Sequence, residues 1–231
     1  MEPYYYQTLS KAEQSSYQAM QAGLQAFAPS FPVPLLENRA LTDVFMKLRL
    51  DCPQLFYAGT FQYRYYPDSR NAELIPAYLF EKGKLKEHQK ALQARVEKLV
   101  RPVARCSDEE KLLYIHDFIC KNVRYDKLKK QYSHEIIGVL GHGVGVCEGI
   151  AKAVKILCDA LQIQCIIALA ENNPEKGVKY RHAWNVVRLD KKYYHLDCTF
   201  DLSLGNPEEI RYDYFLLSDK QIFRDHERLV W

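Results

Sequence analysis

Several absences narrow the possibilities before any motif is read. The 231 residues hold no apolar run approaching the ~18 residues of a membrane span, so no spanning helix is expected. No CxxC pair occurs among the seven cysteines, Cys52, Cys106, Cys120, Cys147, Cys158, Cys165 and Cys198. An odd number of thiols at irregular spacing makes no disulfide framework, and the lack of paired thiolates argues against a structural zinc site. Their default reading is small buried hydrophobes in a reducing compartment. A dominant charge is missing too: 32 basic and 29 acidic residues leave +3. A dedicated nucleic-acid binder carries a clustered basic stripe, so no nucleic acid is expected as a partner. Internal repeats and low-complexity tracts are absent. The start, Met1-Glu2-Pro3-Tyr4-Tyr5-Tyr6, has neither a basic opening nor an apolar stretch. The expectation is a cytoplasmic protein, or an exported one if a leader has been removed.

What is present suits a globular chain with a substantial core: 48% hydrophobic and 26% charged residues. Its first hundred residues read as helices with a small sheet. Leu9, Ala12, Met20, Leu24 and Phe27 fit one helical face, which Pro29 ends. Leu41 to Leu50 makes a second helix, with Val44, Phe45 and Leu48 inward. Phe61, Tyr63 and Tyr65 alternate with polar neighbours, as in a strand, and Ala72 to Phe80 is a weaker strand that Pro76 pushes toward an edge. Leu85, Leu92, Val96, Leu99 and Val100 predict a long helix that stops near Pro102, and another restarts at Ser107 with Glu109 and Glu110 in its first turn. A boundary between Pro102 and Ser107 divides the chain into an N-terminal region, 1–106, and a C-terminal core, 107–231. The basic cluster Lys121, Arg124, Lys127, Lys129 and Lys130 reads as solvated surface, because no phosphate cradle accompanies it.

The stretch that can carry chemistry runs from Gly138 to Asp201. Five glycines fall between Gly138 and Gly149, permitting tight turns and close backbone approach. Directly after them Ile150, Ala153, Val154, Leu157, Cys158 and Leu161 recur at buried-helix spacing. Cys147 therefore sits at or just before a helix N-terminus. The free N–H groups and partial positive charge of such an end stabilise a thiolate, and the same groups can hold an oxyanion. Position alone leaves an inert loop cysteine equally tenable.

Downstream, Cys165 to Ala170 is a short apolar strand and Glu171 to Lys179 a loop. Tyr180 to Leu189 and Lys192 to Thr199 then read as a hairpin turning near Asp190-Lys191. A turn centred between 189 and 190 sets His182 opposite Asp197. A centre one residue later sets His182 opposite Thr199, with Asp197 diagonal on the same face. Both registers bring imidazole and carboxylate within side-chain reach. A thiolate to attack a carbonyl, an imidazole to move the proton and a carboxylate to fix the tautomer are the parts of a thiol acyl-transfer site.

Three motifs stand in order: Gly145-Val146-Cys147-Glu148-Gly149, then His182-Ala183-Trp184-Asn185, then Tyr194-His195-Leu196-Asp197-Cys198-Thr199-Phe200-Asp201. With the upstream Asn122-Val123-Arg124-Tyr125-Asp126, they resemble the bacterial branch of the transglutaminase-like superfamily over roughly residues 107–220. The resemblance implies an α+β, papain-like core in which the helix bearing the cysteine packs on an antiparallel sheet. It makes Cys147 the nucleophile, His182 the general base and Asp197 the orienting acid. Its members include transglutaminases, cysteine proteases and peptide amidases, so the substrate stays open. Ile150 and Phe200 stand where the family often has tyrosine and tryptophan; both are packing changes. No acidic cluster suggests calcium sites, so neither metal nor other cofactor is expected.

Tyr125 is a candidate oxyanion donor, with a packed core tyrosine as the equal alternative. Trp184, His142 and Glu148 are candidates for the substrate cleft, and Trp184 serves equally as core. His195 is expected at an exposed strand position, His116 as a satisfied core histidine and Cys198 in the core. His88, His134 and His226 have no supporting context. Two classes remain: a thiol enzyme acting on an amide of a peptide or related polymer, and a non-catalytic binding module keeping the fold. Within the first, water or an amine resolves the acyl-enzyme. Hydrolysis is favoured, because water is always present and no amine site is visible; a protein-crosslinking transglutaminase is the alternative. Residues 1–106 would then lid the cleft or select the substrate.

Overall fold

The computed structural model describes residues 3–171, 181–205 and 208–227. Backbone packing divides the chain into two units, residues 2–90 and 91–231. Part of the loop expected over 171–179 lies outside the described residues.

In the first unit, helix α1 (Tyr4–Gln7) is capped from a distance: the Asp51 carboxylate accepts from the Tyr5 and Tyr6 N–H groups at 3.1 and 3.0 Å. Helix α2 (Lys11–Gln25) starts in a capping box between Ser10 and Glu13, the local signal that fixes its first turn. Strand β1 (Phe31–Pro34) follows, then helix α3 (Asn38–Asp51) with Leu41, Val44, Phe45 and Leu48 buried as the periodicity requires. Strands β2 (Ala58–Tyr65) and β3 (Asn71–Tyr78) complete an antiparallel sheet in the order β1-β3-β2. The expectation that Pro76 marks an edge strand is corrected here, since β3 is central. The proline is tolerated because β1 pairs only with Asn71–Leu74, so at Pro76 the strand has one neighbour and needs no second donor. Helix α4 (Lys82–Val100) begins in the first unit and continues into the second, where a single 3-10 turn, Arg101–Val103, holds Pro102.

The second unit is the α+β core. Helix α5 (Asp108–Asn122) opens on a capping box of Ser107 and Glu110, with three acidic residues in its first turn. Strands β4 (Arg124–Tyr125) and β5 (Val144–Gly145) pair in parallel. Between them a 3-10 turn and a short π-helix, Ile137–Gly141, take the place of the expected glycine loop. Two glycines are used in stereochemically distinct ways. Gly143 has φ +65°, and a Cβ on Gly149 would run into the Ser133 carbonyl oxygen.

Helix α6 (Cys147–Ala160) buries Ile150, Ala153, Val154, Leu157 and Cys158. It packs on strands β6 (Cys165–Ala170) and β7 (His182–Leu189) and is flanked by α5. Strand β8 (Lys192–Leu196) completes an antiparallel sheet in the order β6-β7-β8. Asp190 and Lys191 turn the hairpin with φ of 47° and 66°, and Leu189 faces Lys192, which is the later of the two registers expected. The second strand stops at Leu196, short of the expected Thr199, because Asp197 caps helix α7 (Cys198–Leu204). Its Oδ1 accepts the Thr199 and Phe200 N–H groups at 2.9 and 3.1 Å. The chain then returns beside β8, where His195 and Leu217 exchange backbone hydrogen bonds of 2.7 and 2.9 Å, and enters helix α8 (Asp219–Ile222). Among the described residues no helix is long and apolar enough to cross a membrane.

Candidate active site

Each of the three expected site residues stands at the end of an element. Cys147 begins α6, His182 begins β7 and Asp197 joins β8 to α7. Ends are where side chains and unpaired backbone groups can converge without breaking a ladder or a helix. At α6 the N-cap Val146 offers no side-chain acceptor to the first-turn N–H groups. The entry is held from the other side, because Val146 donates its N–H to the Ser133 carbonyl at 3.0 Å. Ser133 is pinned in turn by Asp126, which accepts from its hydroxyl at 2.5 Å and from the Leu128 and Lys130 N–H groups at 3.0 and 2.9 Å. Those contacts hold the Asp126 carboxyl below the usual carboxylate range.

His182 Nε2 lies 2.5 Å from Asp197 Oδ2, and Cys147 is near enough to act on the charge of the ring. With Nε2 committed to the carboxylate, Nδ1 is left for the sulfur. Burial works against a charge on the ring, but the Asp197 charge and hydrogen bond, joined by Cys147, overcome it and push the imidazole up to about 10. Asp197 is 1% exposed. Its burial disfavours the anion, yet the His182 charge and hydrogen bond, with a second pair from His226, hold the carboxyl well below its ordinary range. Cys147 is half-buried, so its thiol is within reach of solvent and substrate.

The remaining candidates fall in different places. Tyr125 on β4 is partly exposed; burial pushes its phenol up and the Cys147 charge adds to it, which puts the two side chains in electrostatic range. Trp184 is 1% exposed and lies parallel to His182, 16° between planes and 5.7 Å between centroids. It supports the imidazole from beneath rather than walling an open cleft, because its strand position faces the core. His142 is exposed at the end of the π-helix and rests on Tyr132 at 5.1 Å. Glu148 binds Lys152 at 2.8 Å and His134 at 3.3 Å. Lys152 itself is fully buried and also pairs with Glu135 at 2.9 Å.

His195 is buried and not at the exposed strand position expected, although it shares strand parity with Asp197: its Nδ1 accepts from Trp184 Nε1 at 2.9 Å while Nε2 reaches Asp219 at 3.0 Å. Burial pushes its imidazole below the ordinary value, with Asp219 opposing. His116 is a core histidine, its Nε2 2.9 Å from buried Asp201. Sequence reasoning missed His226, which follows α8 and sets Nε2 2.8 Å from Asp197 Oδ2. No periodicity reaches a residue in a turn; the one available signal was its contiguity with Asp225.

His182, Asp197 and His226 place three potential ligand atoms within 4.8 Å of one another. Their N···O separations of 2.5 and 2.8 Å are those of hydrogen bonds. A tetrahedral ion ~2.0–2.1 Å from each would spread the ligand atoms to about 3.3 Å. As built, the trio is held by protons.

Comparison with known proteins bears on residues 93–198, which match the model of the transglutaminase-like superfamily, a span taking in Cys147, His182 and Asp197. No curated protein sequence matches the chain. Similar solved structures include one described as a TGase, at 12% identity and TM-score 0.40 over 62% of this chain and 44% of that one. A proposed cysteine protease from Cytophaga hutchinsonii matches at 14% identity and TM-score 0.39, over 61% of each chain. A proposed protease from Parabacteroides distasonis matches at 15% identity and TM-score 0.36, over 60% of this chain and 36% of that one. The chain thus spans less than two thirds of each of these proteins. Residues 93–198, a little under half of the chain, thus match the transglutaminase-like superfamily.

Proposed function

We propose that the chain is a thiol acyl enzyme that opens an amide bond in a peptide or related polymer, with Cys147 as nucleophile, His182 as proton carrier and Asp197 as its orienting carboxylate. One observation carries the reading: His182 is bound to Asp197 through Nε2 at 2.5 Å and stands in electrostatic range of Cys147 at the start of α6. A proton held on His182 leaves the sulfur as a thiolate beside the helix end. The thiolate attacks the amide carbon, and the oxyanion meets the first-turn N–H groups of α6 with Tyr125 as a further donor. His182 gives its proton to the leaving amine, the C–N bond breaks, and a thioester remains on Cys147. Water then attacks with His182 as base, releasing the acid and restoring the thiol. An amine in place of water would give crosslinking; hydrolysis is favoured because no amine site is evident. Residues 1–106 are assigned to substrate selection.

The test is alkylation of Cys147 against pH, followed by peptide mass mapping, in the wild type and in His182→Ala. Fast labelling well below the ~8.5 of a free thiol, lost in the variant, is the expected result. Ordinary thiol behaviour in both proteins would refute the enzyme reading and favour a binding module. Adding a primary amine to a trapped thioester then reads hydrolysis against transfer directly.

A further inference from the structure

Asp197 carries a second imidazole. Nε2 of both His182 and His226 points at the same oxygen, Oδ2, at 2.5 and 2.8 Å, while Oδ1 takes the two backbone N–H groups of α7. Four donors thus fill the lone-pair sites of one carboxylate that is 1% exposed. An ionised carboxylate only accepts, so the nitrogen that faces it carries the hydrogen. His226 is itself held on every side. Its Nδ1 lies 2.7 Å from Asp225 Oδ1, and Asp225 also takes the Tyr214 hydroxyl at 2.5 Å. Phe200, Trp184 and Tyr214 surround the ring at 4.5, 5.1 and 5.4 Å. The segment that delivers it is pinned to the same place, with the Asp197 N–H donating to the Tyr214 carbonyl at 3.0 Å.

We propose that His226 is a positioning residue of the thiol site, which by donating Nε2–H to Asp197 Oδ2 keeps that carboxylate ionised and directed at His182 where water does not reach. The proposal rests on the thiol-enzyme reading above. A buried carboxylate short of a donor takes up a proton more readily. Once Asp197 is protonated, the largest support for the charge on His182 is gone, and the thiolate of Cys147 goes with it. His226 therefore sets how far into acid the site stays poised. The titratable groups that face its ring are Asp197, His182 on β7, His195 on β8, Tyr214 and Asp225.

The experiment is iodoacetamide labelling of Cys147 from pH 4 to 9 in the full chain, compared among the wild type, His226→Gln, His226→Met and Asp225→Asn. His226→Met fills the space without a donor; its acid limb should move up by about one pH unit, a tenfold fall in labelling on that limb and the worth of one charge-assisted hydrogen bond, with less than twofold change at pH 9. His226→Gln retains an N–H and should stay within twofold of wild type throughout. Met and Gln variants that shift alike, or a folded His226→Met with the wild-type acid limb, would overturn the proposal. If His226→Met does not fold, Asp225→Asn decides, since it changes a half-exposed residue that holds the far side of the ring. It should shift the acid limb the same way by roughly two- to threefold, and no shift overturns the proposal. A wild type that labels only as an ordinary thiol overturns the enzyme reading itself, which keeps the two failures apart.

Discussion

Replacing Asp197 with asparagine removes a charge and keeps the shape. The amide oxygen can still accept from Thr199 and Phe200, so the cap of α7 survives. What disappears is the anion beside His182. That ring is pushed up to about 10 against the opposition of burial, with the Asp197 charge and hydrogen bond as the largest support. The rise from 6.5 corresponds to about 5 kcal/mol in favour of the protonated ring. Without the anion, burial dominates, and the ring of Asp197→Asn should titrate at or below 6.5, read from histidine ring signals by NMR. The stability consequence has a definite sign. A raised histidine stabilises the fold fully below its unfolded value of 6.5 and ceases to do so as pH rises through about 10. A depressed carboxylate stabilises above 3.8 and ceases as pH falls through its folded value. The melting gap between wild type and variant should therefore be widest between pH 4 and 6.5, on the order of 3–5 kcal/mol for a buried pair that loses one partner. It should narrow toward pH 10. A variant whose His182 still titrates near 10, or a gap that stays constant from pH 6 to 10, would refute the reasoning.

Three further outcomes follow from the same packing. Lys152→Met removes a fully buried cation from Glu135 and Glu148 and should cost about 3–5 kcal/mol in urea denaturation, of which the double variant Lys152→Met/Glu135→Gln should recover more than half. Gly149→Ala drives a methyl group into the Ser133 carbonyl and should lower stability by roughly 1–3 kcal/mol; an unchanged melting temperature would mean that the two segments part easily. Changing Asp190-Lys191 to Asn-Gly relieves two positive φ angles in the hairpin turn and should stabilise the fold by about 0.5–1 kcal/mol, measured by thermal melting.

Local patterns were legible in the sequence wherever one force dominated. The helix after Cys147 follows from spacing alone, since its apolar face must be buried. Hairpin parity placed His182 and Asp197 on one face, and the structure selects the later register through the two turn residues. Readings failed where two rules compete. Cys198-Thr199-Phe200 alternates like a strand, but the Asp197 side chain satisfies the N–H groups of Thr199 and Phe200 and starts a helix there. Pro76 sits in a central strand because its missing donor meets no neighbour, a fact that depends on the length of another strand. His195 reads as an exposed strand residue and is buried because the returning chain, around Leu217, covers that edge. His226 could not be found by pattern, since its partner is 29 residues away across a tertiary contact.

Asp197 answers to two masters. One oxygen starts a helix and the other steadies an imidazole, so the residue is needed for folding whether or not any chemistry takes place. A relative that carried out no catalysis would still be under pressure to keep it. Cys147 has no such second duty among its described contacts: its side chain caps no helix, and it acts on the charge of His182. In judging which relatives are still enzymes, the aspartate is therefore poor testimony and the cysteine good testimony.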